Sequence, residues 1–181
     1  MRHPQPMYLP GFDGLKIKSF GGSLLKGNPR DARPISTKRP IHLVMRSSLA
    51  RGRRSFLSPA IAQRIQRLVY RLARNRGITI YRFANSGNHL HIIARTPSRE
   101  SYRGYVRALS GIIARITLGV ERGKSKGLRF WDARPFTRII EWGREYKIAS
   151  KYVTQNLLEA LGFIPYQERK DRGSGREPIP K

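Results

Sequence analysis

Residues 78–94 read ITIYRFANSGNHLHIIA, and this stretch carries more information about the fold than any other. Its first part, residues 78–83, alternates β-branched and aromatic residues with others and therefore predicts a strand. Residues 85–88, which follow, are of the types that favour tight turns. A second strand-like run then begins at His89. We therefore expect two strands that pair as an antiparallel hairpin.

The second run of the hairpin holds two histidines around a single leucine. Because side chains in a strand alternate between its two faces, His89 and His91 should project to the same side, roughly 7 Å apart, while Leu90 points into a core. Two imidazoles in this arrangement can hold one divalent ion. The same pair could also be solvated or hydrogen-bonded without any metal, so the rest of the chain must decide between these interpretations.

Hydrophobic patterns on either side of the hairpin predict five further elements. We expect a strand at residues 41–46, helices at residues 60–76 and 99–117, a strand at residues 134–141 and a last helix at residues 144–161. Ser98 is expected to cap the second helix. The resulting order, β-α-β-β-α-β-α, predicts an α+β fold of the ferredoxin-like split β-α-β type with an added C-terminal helix.

The composition indicates a polyanionic partner. The 181 residues include 37 Lys and Arg against 11 Asp and Glu, and the net charge of +26 is difficult to explain without a partner such as nucleic acid. The absence of cysteine excludes disulfides, thiolate zinc sites and cysteine nucleophiles. We find neither an apolar run long enough for a membrane span nor a signal peptide. We therefore expect a cytoplasmic protein.

The sequence divides into three segments by composition. Residues 1–40 mix Pro, Gly, Lys and Arg without apolar periodicity, which predicts a basic extended arm. Residues 165–181 predict a basic flexible tail. Residues 41–164 contain all the predicted helices and strands, and we expect them to form one domain with its own core.

The last predicted helix carries Tyr152 and Asn156. Because residues at positions i and i+4 share a helical face, these two side chains should lie together, apart from the apolar stripe that includes Ala149 and Val153. Taken alone, Tyr152 could be a packing residue and Asn156 a solvated amide. His42, in the first predicted strand, could approach the histidine pair or be a satisfied residue of the core, and we favour the second interpretation.

Two histidines around an apolar residue on a strand, followed about sixty residues later by a helix with Tyr-x-x-x-Asn, resemble the motifs of single-tyrosine HUH transposases. Among these, the chain is similar to REP-associated tyrosine transposases and the insertion-sequence-200-like family. The resemblance makes residues 41–164 an HUH transposase-like catalytic domain. It implies that His89, His91 and Asn156 are metal ligands and that Tyr152 is the nucleophile. It also implies Mg²⁺, or else Mn²⁺, as the cofactor.

The resemblance further implies a reaction and a partner. Such a transposase cleaves single-stranded DNA near hairpin ends and retains a 5′-phosphate on its tyrosine, so that a 3′-hydroxyl can later rejoin strands in DNA transposition. It would work in the bacterial cytoplasm at the nucleoid, as a monomer or a homodimer. Two features depart from the pattern. Leu157 stands where relatives usually have proline, and Gln155 is a second candidate for the third ligand, although Asn156 shares the face of Tyr152.

Two other functions remain open from the sequence. A non-catalytic RNA- or DNA-binding protein would explain the charge but would make the histidines and Tyr152 accidental. A metal-dependent nuclease would use the histidines with water as its nucleophile. A covalent adduct on tyrosine would distinguish the transposase from both. Four aromatic residues could either stack on bases or belong to the core, namely Tyr81, Phe83, Trp131 and Trp142.

Overall fold

Five strands and three α-helices make up the part of the chain that the computed structural model describes, which comprises residues 19–22, 32–120 and 129–167. In chain order they are β1 (Ser19–Phe20), β2 (Ile41–Arg46), α1 (Pro59–Arg74), β3 (Thr79–Asn85), β4 (His89–Arg95), α2 (Arg99–Leu118), β5 (Phe136–Ile139) and α3 (Arg144–Ala160). None of these helices combines the length and apolar character that crossing a bilayer would require.

The strands form one sheet in the order β1-β5-β2-β4-β3, and every neighbouring pair is antiparallel. The predicted hairpin is present, because β3 pairs with β4 and Asn85 lies opposite Leu90. α1 connects β2 to β3, and β4 lies between those two strands. This arrangement is the split β-α-β order, so the predicted ferredoxin-like α+β fold with an added C-terminal helix is confirmed.

The larger core lies between the sheet and the two helices α1 and α2. Alternate residues of β2 and β4 point towards these helices, and the helices contribute the apolar stripes that their sequences predicted. Burial of each such side chain contributes about 1.5–3 kcal/mol relative to exposure. The buried residues include Leu43, Met45, Ile65, Leu90, Ile92 and Leu109.

α3 packs on the opposite face of the sheet, over a smaller core. Ala84 and Ile93 from the sheet meet Val153 from α3 and Ile140, which follows β5. Because side chains alternate along β4, the residues between those of the larger core point towards α3. These are His89, His91 and Ile93. The added helix therefore covers the face of the sheet that carries both histidines.

The bounds of β5 and the end of α1 differ from the predicted ones for local reasons. β5 begins at residue 136 rather than 134, since Pro135 has no N–H to donate to a neighbouring strand. It ends before Glu141, whose backbone N–H donates to the Glu145 carboxylate at 2.8 Å and so turns the chain into α3. α1 ends at Arg74 because Gly77, with φ of +64°, closes the helix in the left-handed conformation.

Described parts of the predicted N-terminal arm lie against the edge of the sheet. Ser19 in β1 pairs with Arg138 in β5, and Gly22 donates its N–H to the carbonyl of Arg134 at 2.9 Å. Arg33 donates to the carbonyl of Pro135 at 2.7 Å. Residues 1–18 and 23–31 of the arm and residues 168–181 of the predicted tail lie outside the described residues. The division into arm, domain and tail stays a prediction.

The predicted cap of α2 provides a test of local stability. The Ser98 side chain accepts a hydrogen bond from the backbone N–H of Ser101 at 3.0 Å, whereas Ser58, at the same position of α1, makes no side-chain cap bond. We expect Ser98→Ala to lower the free energy of unfolding by about 1 kcal/mol in urea titrations. Ser58→Ala is the matched control and should change it by less than about 0.5 kcal/mol. Equal losses would contradict the assignment of the cap.

Candidate active site

The two histidines of β4 lie side by side on the face that α3 covers. The ring centroids of His89 and His91 are 4.8 Å apart and the ring planes are inclined by 77°. His91 is buried, with 3% of its surface exposed, while His89 at the end of the strand is partly exposed. The His91 ring is therefore fixed by the residues around it, and the His89 ring is accessible to solvent.

Tyr152 of α3 lies against one ring of this pair, that of His91. Its ring centroid is 5.6 Å from that of His91, with the two planes nearly perpendicular at 85°. Val153, the next residue, is buried in the smaller core and fixes the rotation of α3 about its axis. Tyr152 is consequently placed at the margin of the interface, 36% exposed. Its ring contacts a histidine on one side and is accessible to a ligand on the other.

Asn156 lies one turn further along α3, towards the His89 end of β4. It is 3% exposed, and its Nδ2 donates to the carbonyl of Tyr152 at 2.7 Å. The Ser86 hydroxyl lies 3.5 Å from the backbone carbonyl of Asn156, and the backbone N–H of Ser86 donates to the backbone carbonyl of His89 at 2.9 Å. Gln155 turns elsewhere, because its side-chain amide donates to Glu159 at 2.8 Å. Of the two candidate third ligands, Asn156 is therefore the one near the histidines.

The structure brings a third histidine, His42, against His91, so the less favoured alternative, that His42 approaches the histidine pair, describes its position. Its Nε2 lies 3.2 Å from Nδ1 of His91, and the two rings stack with centroids 5.4 Å apart. In the register of β2 and β4, His42 is opposite Ile93 and thus diagonal to His91 on the same face. The predicted strand order already implied that β2 borders β4. The alternation of side chains along β2, which puts His42 on the same face of the sheet as His91, was the signal that could have identified it.

Asn88 is the second residue of the site that the sequence analysis did not identify, since it was considered only as a turn residue. Its Oδ1 lies 2.6 Å from Nδ1 of His89. An amide oxygen can only accept, so His89 carries its proton on Nδ1. A matching bond from Nδ1 of His91 to His42 would give both rings the same tautomer. The lone pair that a metal ion needs is then on Nε2 of each ring.

The electrostatic surroundings of His42 suit it for accepting that bond. Burial, followed by the positive charge of Arg138, lowers the pKa of His42 from 6.5 to about 4. Arg138 lies opposite His42 in the pairing of β2 with β5. At neutral pH the His42 ring is therefore uncharged, and its Nε2 can accept a hydrogen bond from His91.

The lowered pKa of His42 predicts how stability depends on pH. Its contribution is fully present above the unfolded pKa of 6.5 and is lost as the pH falls towards 4, since the unfolded chain binds the proton first. Between pH 7 and pH 4 we expect the wild type to lose about 2 kcal/mol more unfolding free energy than His42→Gln. Urea titrations of the metal-free proteins would measure this. Parallel pH curves for the two proteins would contradict it.

The donor set suits a divalent ion that keeps open coordination positions. Among the described residues, there is no group of three or more His, Cys, Asp or Glu side chains that could hold a metal ion. A site here would instead consist of two imidazole nitrogens and one amide oxygen. This set leaves several coordination positions to water or phosphate, as Mg²⁺ and Mn²⁺ require. With protons on both Nδ1 atoms, His89 and His91 would each offer Nε2 to such an ion.

The four aromatic candidates for base stacking separate into two pairs. Trp131 contacts the larger core and donates its indole N–H to the carbonyl of Ser110, and Phe83 also packs against that core. Trp142 is 49% exposed, and its ring centroid lies 5.4 Å from that of Tyr81, beside α3. Only Tyr81 and Trp142 therefore lie on the same side of the sheet as Tyr152.

Comparison with known proteins gives a family and a fold. The family model described as "Transposase IS200 like" matches residues 36–156, a range that includes His42, both histidines of β4, Tyr152 and Asn156. A solved structure of a REP-associated tyrosine transposase bound to a REP hairpin has a TM-score of 0.56 and 16% sequence identity, covering 86% of this chain and 100% of that one.

A second solved structure, described as a "putative transposase from Deinococcus radiodurans R1", has a TM-score of 0.43 and 14% identity over 73% of this chain and 98% of that one. No curated protein sequence matches the chain. The family assignment therefore comes from the family model, and the structure with the TM-score of 0.56 supports the fold.

Proposed function

This chain belongs to the IS200-like transposase family, whose members cut and rejoin DNA, and from this premise we propose that it cleaves single-stranded DNA through a covalent bond to Tyr152. The observation that supports the proposal best is the contact between Tyr152 and the histidine pair, with the Tyr152 and His91 ring centroids 5.6 Å apart. The partial exposure of Tyr152 beside His91 leaves its ring accessible to a DNA strand, as a nucleophile requires.

The proposed step exchanges one phosphoester bond for another. The Tyr152 oxygen attacks the scissile phosphorus, and its phenolic proton passes to solvent. The bond from phosphorus to the 3′ oxygen breaks, that oxygen takes up a proton, and the 5′-phosphate stays on the tyrosine. Because a phosphodiester is retained, attack by a 3′-hydroxyl can reverse the step and join strands without a nucleotide cofactor. The exposed side of the Tyr152 ring gives the DNA strand access.

His89, His91 and Asn156 would hold Mg²⁺ or Mn²⁺ in this proposal. When bound, the ion would polarise the scissile phosphate and stabilise the negative charge that develops on the departing oxygen. Asn88 and His42 would act as positioning residues, since each engages the Nδ1 atom of one proposed ligand. Gln155 is not assigned a role, because it bonds to Glu159.

The proposed substrate is a single strand of DNA next to a hairpin end, by analogy with the hairpin in the similar solved structure. Tyr81 and Trp142 lie beside α3, where unpaired bases next to the scissile phosphate could stack on them. Residues 41–164 would form the catalytic domain, with residues 1–40 as a basic arm and residues 165–181 as a basic tail. The working location would be the bacterial nucleoid, in the cytoplasm.

A covalent adduct is the experiment that tests this function. The full chain is incubated with Mg²⁺ and a pool of hairpin oligonucleotides whose single-stranded flanks are randomised, then denatured, digested with trypsin and analysed by mass spectrometry. We expect an oligonucleotide linked through its 5′-phosphate to the peptide that contains Tyr152. Cleaved DNA without an adduct would point to a nuclease that uses water, and retained DNA without cleavage would point to a binding protein.

A further inference from the structure

A groove between α1 and α2 carries a concentration of positive charge that the proposed chemistry does not use. Its volume is about 540 Å³, and four arginines line it, namely Arg64, Arg67, Arg71 and Arg115. The first three lie at positions i, i+3 and i+7 of α1 and therefore form one stripe, about 10 Å long, along the helix. Arg115 faces them from the last turn of α2.

No acidic side chain of these two helices balances this charge. α1 contains no Asp or Glu, and the acidic residue of α2, Glu100, is in its first turn, at the opposite end from Arg115. Glu141, Asp132 and Glu145 form ion pairs with arginines elsewhere in the fold. Four like charges around one groove repel each other, and this repulsion destabilises the folded protein. An anionic ligand in the groove would reduce the repulsion.

The groove and the candidate active site lie on opposite faces of the sheet. α1 and α2 cover the face that carries Leu90 and Ile92, whereas Tyr152 and His91 belong to the face under α3. The thickness of the sheet and its packed side chains separates the two faces by more than about 10 Å. The segment of DNA that reaches Tyr152 therefore cannot also fill the groove, and the groove would contact a second segment.

The lining indicates which kind of DNA segment this is. Between the arginines the lining is aliphatic, with Leu68, Ile112 and Ile116, and no aromatic side chain is among the lining residues. Grooves that bind single strands usually combine positive charge with aromatic rings on which the bases stack. Arginines without such rings suit the outside of a duplex, where the phosphates are exposed and the bases are already stacked.

We propose that the groove between α1 and α2 binds the phosphate backbone of double-stranded DNA adjacent to the strand that is cleaved. This inference rests on the proposed function for the identity of the nucleic acid as DNA, but the groove itself takes no part in the chemistry. It would add affinity that is independent of sequence, and it would hold the duplex on the face opposite Tyr152.

Two arginine pairs of matched charge and spacing test the proposal. Arg67→Gln/Arg71→Gln removes two groove arginines from α1, and Arg103→Gln/Arg107→Gln removes two exposed arginines, also four residues apart, from α2 outside the groove lining. Fluorescence anisotropy measures binding of a blunt 20-base-pair duplex between 50 and 200 mM salt. For the groove pair we expect about tenfold weaker binding at 100 mM salt and a salt slope lower by about 1–2, and for the control pair a much smaller change.

Other outcomes of this titration overturn the proposal. Equal losses in both variants would mean that net charge, and not the groove, binds the duplex. A loss confined to single-stranded oligonucleotides would reassign the groove to that ligand, and a preference for duplex RNA of the same sequence would reassign it to RNA. Circular dichroism spectra check that both variants, whose substituted side chains are exposed, keep the fold.

A second comparison separates this proposal from the proposed function. Tyr152→Phe should bind the duplex with wild-type affinity, and the groove variant should cleave single-stranded DNA at the wild-type rate when protein is saturating. If no cleavage or adduct is found for any variant but the arginine pairs still differ in duplex binding, the proposed function fails and the groove stands. If cleavage depends on Tyr152 but the two pairs bind alike, the groove proposal fails alone.

Discussion

Tyr152→Phe is expected to abolish the covalent adduct and to slow DNA cleavage by at least about 10⁴-fold, because removal of an enzyme's nucleophile costs losses of that order. The phenyl ring keeps the contact with His91, whose ring centroid lies 5.6 Å away, and the lost hydroxyl is on a partly exposed residue. Stability should therefore change by less than about 0.5 kcal/mol. Single-turnover cleavage of a labelled hairpin oligonucleotide measures the rate, and a denaturing gel detects the adduct.

Tyr146→Phe is the matched control, since α3 carries both tyrosines. The ring of Tyr146 packs against Tyr81 and Trp142, with centroid distances of 5.9 Å and 5.1 Å, and this contact does not involve the histidine pair. We expect this variant to cleave DNA and form the adduct at nearly the wild-type rate. If Tyr152→Phe still cleaved the DNA without an adduct, water would be the nucleophile, and the proposed role of Tyr152 would be wrong.

Much of the fold followed from the sequence because its signals are local. Strand alternation and the turn residues at positions 85–88 define the hairpin, and the apolar stripes of α1 and α2 identify the faces that they bury. The same alternation places His89 and His91 on one face, while the spacing of four places Asn156 beside Tyr152. Each of these inferences depends only on the side-chain periodicity within a single helix or strand.

The contributions of His42 and Asn88 could not be read from one element. His42 reaches His91 only because β2 borders β4 in a particular register, which depends on pairing between distant segments. Asn88 contacts the ring of its own neighbour, yet its side-chain direction depends on the conformation of the turn. The arginine groove also depends on contacts between separate elements. The charges of α1 were visible in the sequence, but their position facing Arg115 depends on how two helices pack.

His91→Ala is expected to have the second largest effect, on metal binding as well as on cleavage. Loss of one of two imidazole ligands should lower the affinity for Mn²⁺ by more than 100-fold, since loss of a residue that merely supports a ligand costs about 10–100-fold. Cleavage should fall by about 10³-fold, which corresponds to about 4 kcal/mol of transition-state stabilisation. Electron paramagnetic resonance of free Mn²⁺ measures binding in the absence of DNA and so does not depend on activity.

Substitutions of His42 provide a graded control for this experiment. Gln at position 42 can still accept a hydrogen bond from Nδ1 of His91, whereas Phe cannot, so His42→Phe should weaken Mn²⁺ binding by about 10–100-fold and His42→Gln by much less. Both should affect binding less than His91→Ala does. If all three variants bound Mn²⁺ as the wild type does, these histidines would not hold the ion.

Variants of the two neighbouring amides, Asn156 and Gln155, test which of them is the third metal ligand. The backbone carbonyl of Asn156 meets Ser86 near the His89 end of β4, whereas the Gln155 side chain extends to Glu159, so we propose that Asn156 presents the amide oxygen to the ion. We expect Asn156→Ala to weaken Mn²⁺ binding by about tenfold or more and Gln155→Ala to leave it unchanged. Asn156→Asp separates a ligand from a packing residue, because a carboxylate oxygen should retain or strengthen Mn²⁺ binding while it removes the donor to the Tyr152 carbonyl. Weaker binding in Gln155→Ala than in Asn156→Ala would reverse the assignment.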